Sequence, residues 1–207
     1  MITNQHHFIA IGGNIGAGKS TLTNMLSEHF GWQPFYEANA DNPYLPDFYA
    51  DMTRWSFHSQ VFFLSKRLEH HRQLVDFGGH VVQDRTVYED AEVFAQNLYL
   101  QGKLPERDYR TYRRLYESIS AFLPAPSLVI YLQASVETLM ALIKGRGRDY
   151  EKNIQRDYVD GLNLLYDAWI DRWTASPVLR VQMDIVDFVN NPKDFRGIVN
   201  EIKAILG

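Results

Sequence analysis

Eight consecutive residues, Gly13-Asn14-Ile15-Gly16-Ala17-Gly18-Lys19-Ser20, have the types and spacing needed to hold a chain of phosphates. Glycines at the fixed positions let backbone N–H groups turn inward around phosphate oxygens with no Cβ in the way. A helix beginning near Lys19 would aim its positive end at the same anion. The Lys19 ammonium can reach the β- and γ-phosphates of ATP. The Ser20 hydroxyl stands where a Mg²⁺ ligand is needed, and Thr21 completes the ATP-contacting stretch. The match follows the apolar run Phe8-Ile9-Ala10-Ile11 and opens a helix, which is the context such a loop requires.

Other residues could supply the rest of a phosphoryl transfer. Glu37 follows the stretch Trp32–Tyr36, and Asp84-Arg85-Thr86 follows Val81-Val82-Gln83. Carboxylates and an arginine beside a magnesium-bound triphosphate suit that chemistry. Either acid could serve as general base or as magnesium contact. Glu37 is assigned the base and Asp84 the Mg²⁺ contact, with the reverse as the alternative. Arg146 and Arg148 straddle Gly147, with Lys144 and Lys152 close by, and read as a cationic lid over a γ-phosphate. On a helix Gln60 and Arg67 share a face, as do Asp90 and Phe94. The Gln60 amide offers one donor and one acceptor, enough to pair with adenine and, geometrically, with cytosine. A GTPase is disfavoured: Asn191-Pro192-Lys193-Asp194 has the letters of a guanine reader in the wrong order and reads as a surface cap.

Elements must bring these residues together. Strands are expected at Phe8–Ile11, Trp32–Tyr36, Val81–Asp84, Leu128–Leu132 and Val178–Met183. Helices are expected at Lys19–Phe30, Thr53–Phe77, Glu89–Leu100, Pro105–Phe122, Val136–Lys144, Asn153–Trp173 and Pro192–Leu206. Pro43 and Pro46 mark a turn between the second strand and the long helix. Five strands alternating with helices imply an α/β fold, a five-stranded parallel sheet flanked by helices on both faces. Ligands in such sheets sit at the carboxyl ends of the strands, which is where the candidate residues fall. The adjacent pairs His6-His7 and His70-His71 lack the spacing of a helical metal site. The stripe Tyr109, Tyr112, Tyr116 reads as packing.

Composition bounds the reading. A chain of 207 residues buries a sizeable core and fits one domain over 1–207. With no cysteine there is no disulfide scaffold, no thiolate metal site and no cysteine nucleophile. A net charge of −4 argues against a nucleic-acid-coating role. No apolar stretch reaches the length of a membrane span and the N-terminus has no signal-peptide pattern, so a soluble, cytoplasmic protein without a membrane partner is expected.

Over nearly its whole length the sequence resembles the deoxynucleoside kinase family, most of all the bacterial purine-type members. The resemblance rests on the phosphate loop, Glu37, Arg54-Trp55-Ser56-Phe57-His58-Ser59-Gln60, Asp84-Arg85-Thr86 with Tyr88-Glu89-Asp90 and Phe94, and Arg146-Gly147-Arg148 with Glu151. The triplet reads Asp-Arg-Thr where relatives often end in Ser, so a hydroxyl is kept. Ser59 stands beside Gln60 where some relatives carry an aromatic. The resemblance implies a P-loop kinase that uses ATP and Mg²⁺ to phosphorylate the 5′-hydroxyl of a deoxynucleoside, deoxyadenosine or deoxyguanosine first and deoxycytidine close behind. It implies that Tyr49 and Glu151 clamp the sugar 3′-hydroxyl, that Gln60 reads the base, and that Arg67 and Asp90 sit at its edge. Phe94 would stack on the base, Arg85 would orient Glu37 and meet the transferred phosphate, and Asp187 and Phe188 would contact the ATP adenine. A mobile lid around 144–153 and a helix-packed homodimer are implied as well. The alternatives are a P-loop kinase of another acceptor, such as a nucleoside monophosphate held by Arg67, Arg110, Arg113 and Arg114, and a non-catalytic ATP-binding regulator.

Overall fold

A computed structural model describes residues 6–37, 42–152 and 154–207, the Val75 side chain apart. Strand β1 (Phe8–Gly13) runs through the phosphate loop into α1 (Lys19–Phe30). Next come β2 (Gln33–Phe35), α2 (Leu45–Ala50) and α3 (Met52–Phe77). Strand β3 (Val81–Asp84) leads into a continuous helical stretch: α4 (Val87–Glu89), a π-helical turn (Asp90–Ala95) and α5 (Gln96–Leu100). Then follow α6 (Glu106–Ser120), β4 (Leu128–Gln133), α7 (Val136–Arg146) and a 3₁₀ turn (Asp149–Glu151). Helix α8 (Arg156–Arg172), β5 (Val178–Gln182) and α9 (Pro192–Leu206) complete the order.

The five strands form one parallel sheet in the order β2-β3-β1-β4-β5, as the alternating pattern predicts. Every residue of β1 is buried, and so are Leu128 to Leu132 of β4. Consecutive buried positions mean that both faces of the sheet are covered, the usual state of a parallel sheet. Because β1 is central, its carboxyl end lies between β3, where Asp84 is in register with Ile11, and β4, where Leu132 is in register with Gly13. Leu22 and Leu26 seat α1 on the core, and truncating either to Ala would cost about 2–5 kcal/mol.

Beyond shifts of one or two residues at element ends and the π-helical turn, two elements differ from expectation. The Pro43–Pro46 stretch contains helix α2, with Pro46 in its first turn. A proline there forfeits no helical hydrogen bond, so it is compatible with starting a helix. The helix expected from Asn153 starts at Arg156, and Asn153 itself lies outside the described residues. The stripe on α6 splits: Tyr112 and Tyr116 are buried, while Tyr109 stacks on Tyr99 at 4.4 Å.

At the opposite edge of the sheet from the phosphate loop, aromatic rings close the fold. His7 stacks on His80 at 5.1 Å, His80 on Trp32 at 5.1 Å, and Trp32 on Phe30 at 4.8 Å. The His7 N–H donates to His80 Nδ1 at 3.0 Å. Burial, then proximity to His80, lowers the pKa of His7 below its ordinary 6.5, and burial lowers that of His71. Below 6.5 the unfolded chain therefore takes up protons that the folded chain refuses. Their contribution to stability is complete above that pH and is lost as pH falls through it. The melting midpoint is expected to drop between about pH 7 and about pH 5.5, and His71→Phe should flatten the drop. An unchanged midpoint across that window contradicts the assignment.

Candidate active site

The phosphate loop is shaped by backbone conformations that side chains would block. Gly16 has φ 85°, and a Cβ there would lie 2.7 Å from Ile143 Cγ1. A Cβ on Gly13 would lie 2.9 Å from the Leu132 carbonyl oxygen. Asn14 fixes the loop from behind. Its amide nitrogen donates to the Val159 carbonyl at 3.0 Å and to Asn163 Oδ1 at 3.1 Å, and its Oδ1 accepts from the Ile15 N–H at 2.8 Å. Ile15 to Thr21 line a cleft of about 680 Å³, whereas Gly13 and Asn14 stand behind it. Lys19 Nζ donates to the Asn14 carbonyl at 2.9 Å. Burial, then the neighbouring Arg85 charge, pushes the Lys19 ammonium down to about 8, against the pull of Asp84, Glu37 and Glu89. An ammonium whose charge is disfavoured by burial gains from a phosphate anion placed beside it.

Beneath the cleft lies a buried cluster of acids and arginines. A single oxygen, Glu37 Oε1, accepts from Arg85 Nη1 at 2.5 Å and from Arg67 Nη2 at 2.7 Å. Arg67 Nε also reaches Asp90 Oδ2 at 3.1 Å, and its Nη1 reaches the Asp84 carbonyl at 3.3 Å. So Arg67 is a strut between two acids, set behind the cleft wall, and no spacing or motif in the sequence signals its contact with Glu37. Arg85 has φ 64°, the one non-glycine positive φ among the described residues. Its guanidinium lies 4.3 Å from the Phe94 ring centroid. Burial opposes its charge, but Glu37, Tyr166, Glu89 and Asp90 outweigh that and hold its pKa well above the ordinary value. Asp84 accepts from the Ser20 hydroxyl through Oδ2, while its Oδ1 is buried without a hydrogen-bond partner. An orphaned carboxylate oxygen beside the loop hydroxyl is a hard-donor pair that suits Mg²⁺.

The other end of the cleft is an apolar pocket with a few polar groups. Gln60, Asp90 and Phe94 line it, with Leu45 and Phe48 of α2 and Phe63 of α3. The π-helical turn carries both Asp90 and Phe94. Such turns are frequent at functional sites. Gln60 is buried and its Oε1 has no hydrogen-bond partner. Ser59 instead turns away from the pocket, its hydroxyl accepting from Asn42 Nδ2 at 3.2 Å. Tyr49 stacks on Tyr150 at 5.9 Å. Burial, then Tyr158 and Glu151, raises its phenol well above the ordinary value, so it stays a neutral hydrogen-bond donor.

The lid residues meet at Glu151. Arg146 ends α7 and binds this carboxylate through Nη2 to Oε1 at 2.6 Å and Nε to Oε2 at 3.1 Å; Arg148 lies 3.6 Å away. All three line the cleft. Asp187 and Phe188 line it too. The Phe188 ring packs toward Gly18, while Asp187 accepts from the N–H groups of Val189 and Asn190 and so shapes its own loop. The arginines offered as a monophosphate site do not converge on the cleft: Arg110 and Arg114 share a separate surface pocket on α6. Arg67 is internal, Arg113 pairs with Glu92 at 2.7 Å, and Arg110 pairs with Glu106 at 2.6 Å on the outside of α6. Phe63 and Tyr166 were not singled out from sequence, and Glu89 only as part of the Tyr88-Glu89-Asp90 stretch, with no role of its own. Only Glu89 carried a signal, as the fourth residue of a Thr86-x-x-Glu89 capping box.

The profile of the family described as deoxynucleoside kinase matches residues 9–207. A deoxyadenosine/deoxycytidine kinase of Bacillus subtilis (strain 168) is 35% identical, covering 98% of this chain and 96% of its own length. A deoxyguanosine kinase of the same strain is 37% identical, covering 96% and 97%. The solved structure of a deoxyadenosine kinase from M. mycoides with bound dATP superimposes with a TM-score of 0.85 at 29% identity, covering 96% of this chain and 100% of that one. Sequence, sheet order and a nearly full-length match agree, and the chain belongs to the deoxynucleoside kinase family.

Proposed function

We propose that the chain transfers the γ-phosphoryl group of ATP to the 5′-hydroxyl of a deoxynucleoside, releasing ADP and the deoxynucleoside monophosphate. The observation that carries this is a single cleft with a phosphate loop at one end, an amide-and-aromatic pocket at the other, and the Glu37–Arg85 pair between them. Glu37 takes the proton of the attacking hydroxyl. Arg85 holds Glu37 in place and, with Lys19, Arg146 and Arg148, balances charge on the transferred group. Ser20 and Asp84 would hold Mg²⁺, which when bound neutralises charge on the phosphates. Tyr49 and Glu151 hold the sugar, and the segment 144–153 acts as the lid of a one-domain kinase. The loop at Asp187 and Phe188 takes the adenine of ATP. The enzyme acts as a cytoplasmic homodimer in nucleotide salvage.

Gln60 supports a base that presents an amino donor beside a ring acceptor, which adenine and cytosine share. The relatives named for deoxyadenosine, deoxycytidine and deoxyguanosine support a purine preference with deoxycytidine competing. Gln60→Leu is expected to lower kcat/KM for the acceptor about tenfold or more, because it removes two hydrogen bonds of about 1 kcal/mol each, while KM for ATP stays put. Steady-state kinetics with each substrate varied in turn checks this.

The reaction itself is tested by ADP release with Mg-ATP and each of the four deoxynucleosides, beside ribonucleosides and deoxynucleoside monophosphates. Strong turnover on a purine deoxynucleoside is expected. Turnover on monophosphates alone, or bound ATP with no acceptor-dependent release, overturns the proposal.

A further inference from the structure

Glu89 is a completely buried carboxylate to which the phosphoryl transfer gives no task. It stands behind the phosphate loop, beside Gly12 and Gly13. Its Oε1 accepts from the Thr86 N–H at 2.9 Å. Its Oε2 accepts from the Tyr166 hydroxyl at 2.8 Å and from the Gly13 N–H at 3.4 Å. Arg85 Nε, buried and without a hydrogen-bond partner, is 3.8 Å from the same Oε2. The peptide groups of Gly13 are therefore gripped on both sides: the N–H by Glu89, and the carbonyl by Arg85 Nη2 at 3.4 Å.

The contacts form a chain. Glu89 holds the first glycine of the phosphate loop, that glycine holds Arg85, and Arg85 holds Glu37 at 2.5 Å. Glu89 also caps α4, whose start fixes the strained Arg85 backbone one residue before Thr86. The carboxylate accepts four hydrogen bonds, from the Thr86 N–H and hydroxyl, Tyr166 and Gly13, and a neutral amide in its place could not accept from all of them. We infer that Glu89, oriented by Tyr166, is a positioning residue that locks the phosphate loop to the Arg85–Glu37 pair, so that donor phosphate and acceptor hydroxyl stay in line. It touches neither substrate. Its effect should appear in the chemical step rather than in the binding of either partner, since small misalignments of reacting groups cost rate far more than affinity.

The inference rests on the kinase reading, so the parent enzyme must first turn over a deoxynucleoside; a parent without that turnover sinks the kinase reading itself. Given an active parent, Glu89→Gln and Tyr166→Phe are compared with it, and kcat is normalised to the sites that bind ATP in a titration. Glu89→Gln is expected to lose about ten- to a hundredfold in kcat, with KM for ATP and for the deoxynucleoside within about threefold of the parent. Tyr166→Phe keeps the charge and loses one orienting bond, so a loss of about threefold to tenfold at unchanged KM is expected. A merely structural role would reduce the number of ATP-binding sites and the melting midpoint while leaving kcat per site at the parental value; that result overturns the inference. If Glu89→Gln does not fold, Tyr166→Phe decides alone, and parental kcat in that variant overturns it.

Discussion

A Glu37→Gln enzyme should turn over about a hundredfold or more slowly than its parent at saturating ATP and deoxynucleoside, the loss typical when a general base is removed. The geometry explains why the loss is large. The carboxylate lines the cleft, and two guanidinium groups converge on its Oε1. The two hydrogen bonds fix its position in the cleft. Glutamine fills the same volume and can still accept from the arginines, but it cannot take a proton from the attacking hydroxyl. Stability should fall as well, because Arg85 loses its nearest counter-charge, whereas Arg67 keeps Asp90 at 3.1 Å. The informative quantity is kcat measured on protein that still binds ATP. Near-parental kcat would exclude Glu37 from the chemistry and transfer the base role to Asp84.

Replacing Arg85 should be at least as damaging, and two replacements separate its charge from its backbone. Both Arg85→Ala and Arg85→Gly remove the guanidinium that grips Glu37 and the Gly13 carbonyl. Loss of one such charged donor costs on the order of a hundred- to a thousandfold in turnover. The two variants should differ in stability. At φ 64° alanine keeps the left-handed strain while glycine relieves it, so Arg85→Gly should be the more stable by about 1 kcal/mol despite its greater unfolded-state entropy. Denaturant unfolding of the pair measures this directly. Equal stabilities would mean that the backbone relaxes once the side chain is gone, and that the guanidinium contacts themselves impose the strain.

The sequence carried some of this architecture and concealed the rest, for physical reasons that can be named. The phosphate loop was legible because its chemistry is local: eight adjacent residues, a strand before and a helix after. The strands of the parallel sheet were legible because burial on both faces leaves unbroken apolar runs such as Leu128 to Leu132. Helix α2 was missed because a proline in a first turn is spelled like a proline in a loop. The strut from Arg67 to Glu37 joins residues thirty positions apart, and only the packing of α3 against the end of β2 brings them together. For Gln60, Asp90, Phe94, Tyr49 and Glu151, spacing suggested at most a shared face. That they line one cleft follows from the fold, and their roles in binding belong to the proposed reaction.

The π-helical turn at Asp90–Ala95 has a meaning for the length of the chain. A turn of this kind accommodates one residue more than a regular helix would over the same rise. Removing any single residue between positions 90 and 95 would let the stretch relax to an ordinary α-helix, so the lesion would be mild by every measure of helix stability. The turn absorbs its extra residue, so α5 would keep nearly its present direction and the change would fall on the turn itself. Loss of a residue from Ala91 to Val93 would leave Asp90 and Phe94 three positions apart instead of four and shift them against Arg67 and Arg85, which they now meet. Side chains in this segment can be exchanged one at a time and their effects measured. Its residue count is a fixed quantity, and insertions or deletions there should be far rarer among working enzymes than substitutions.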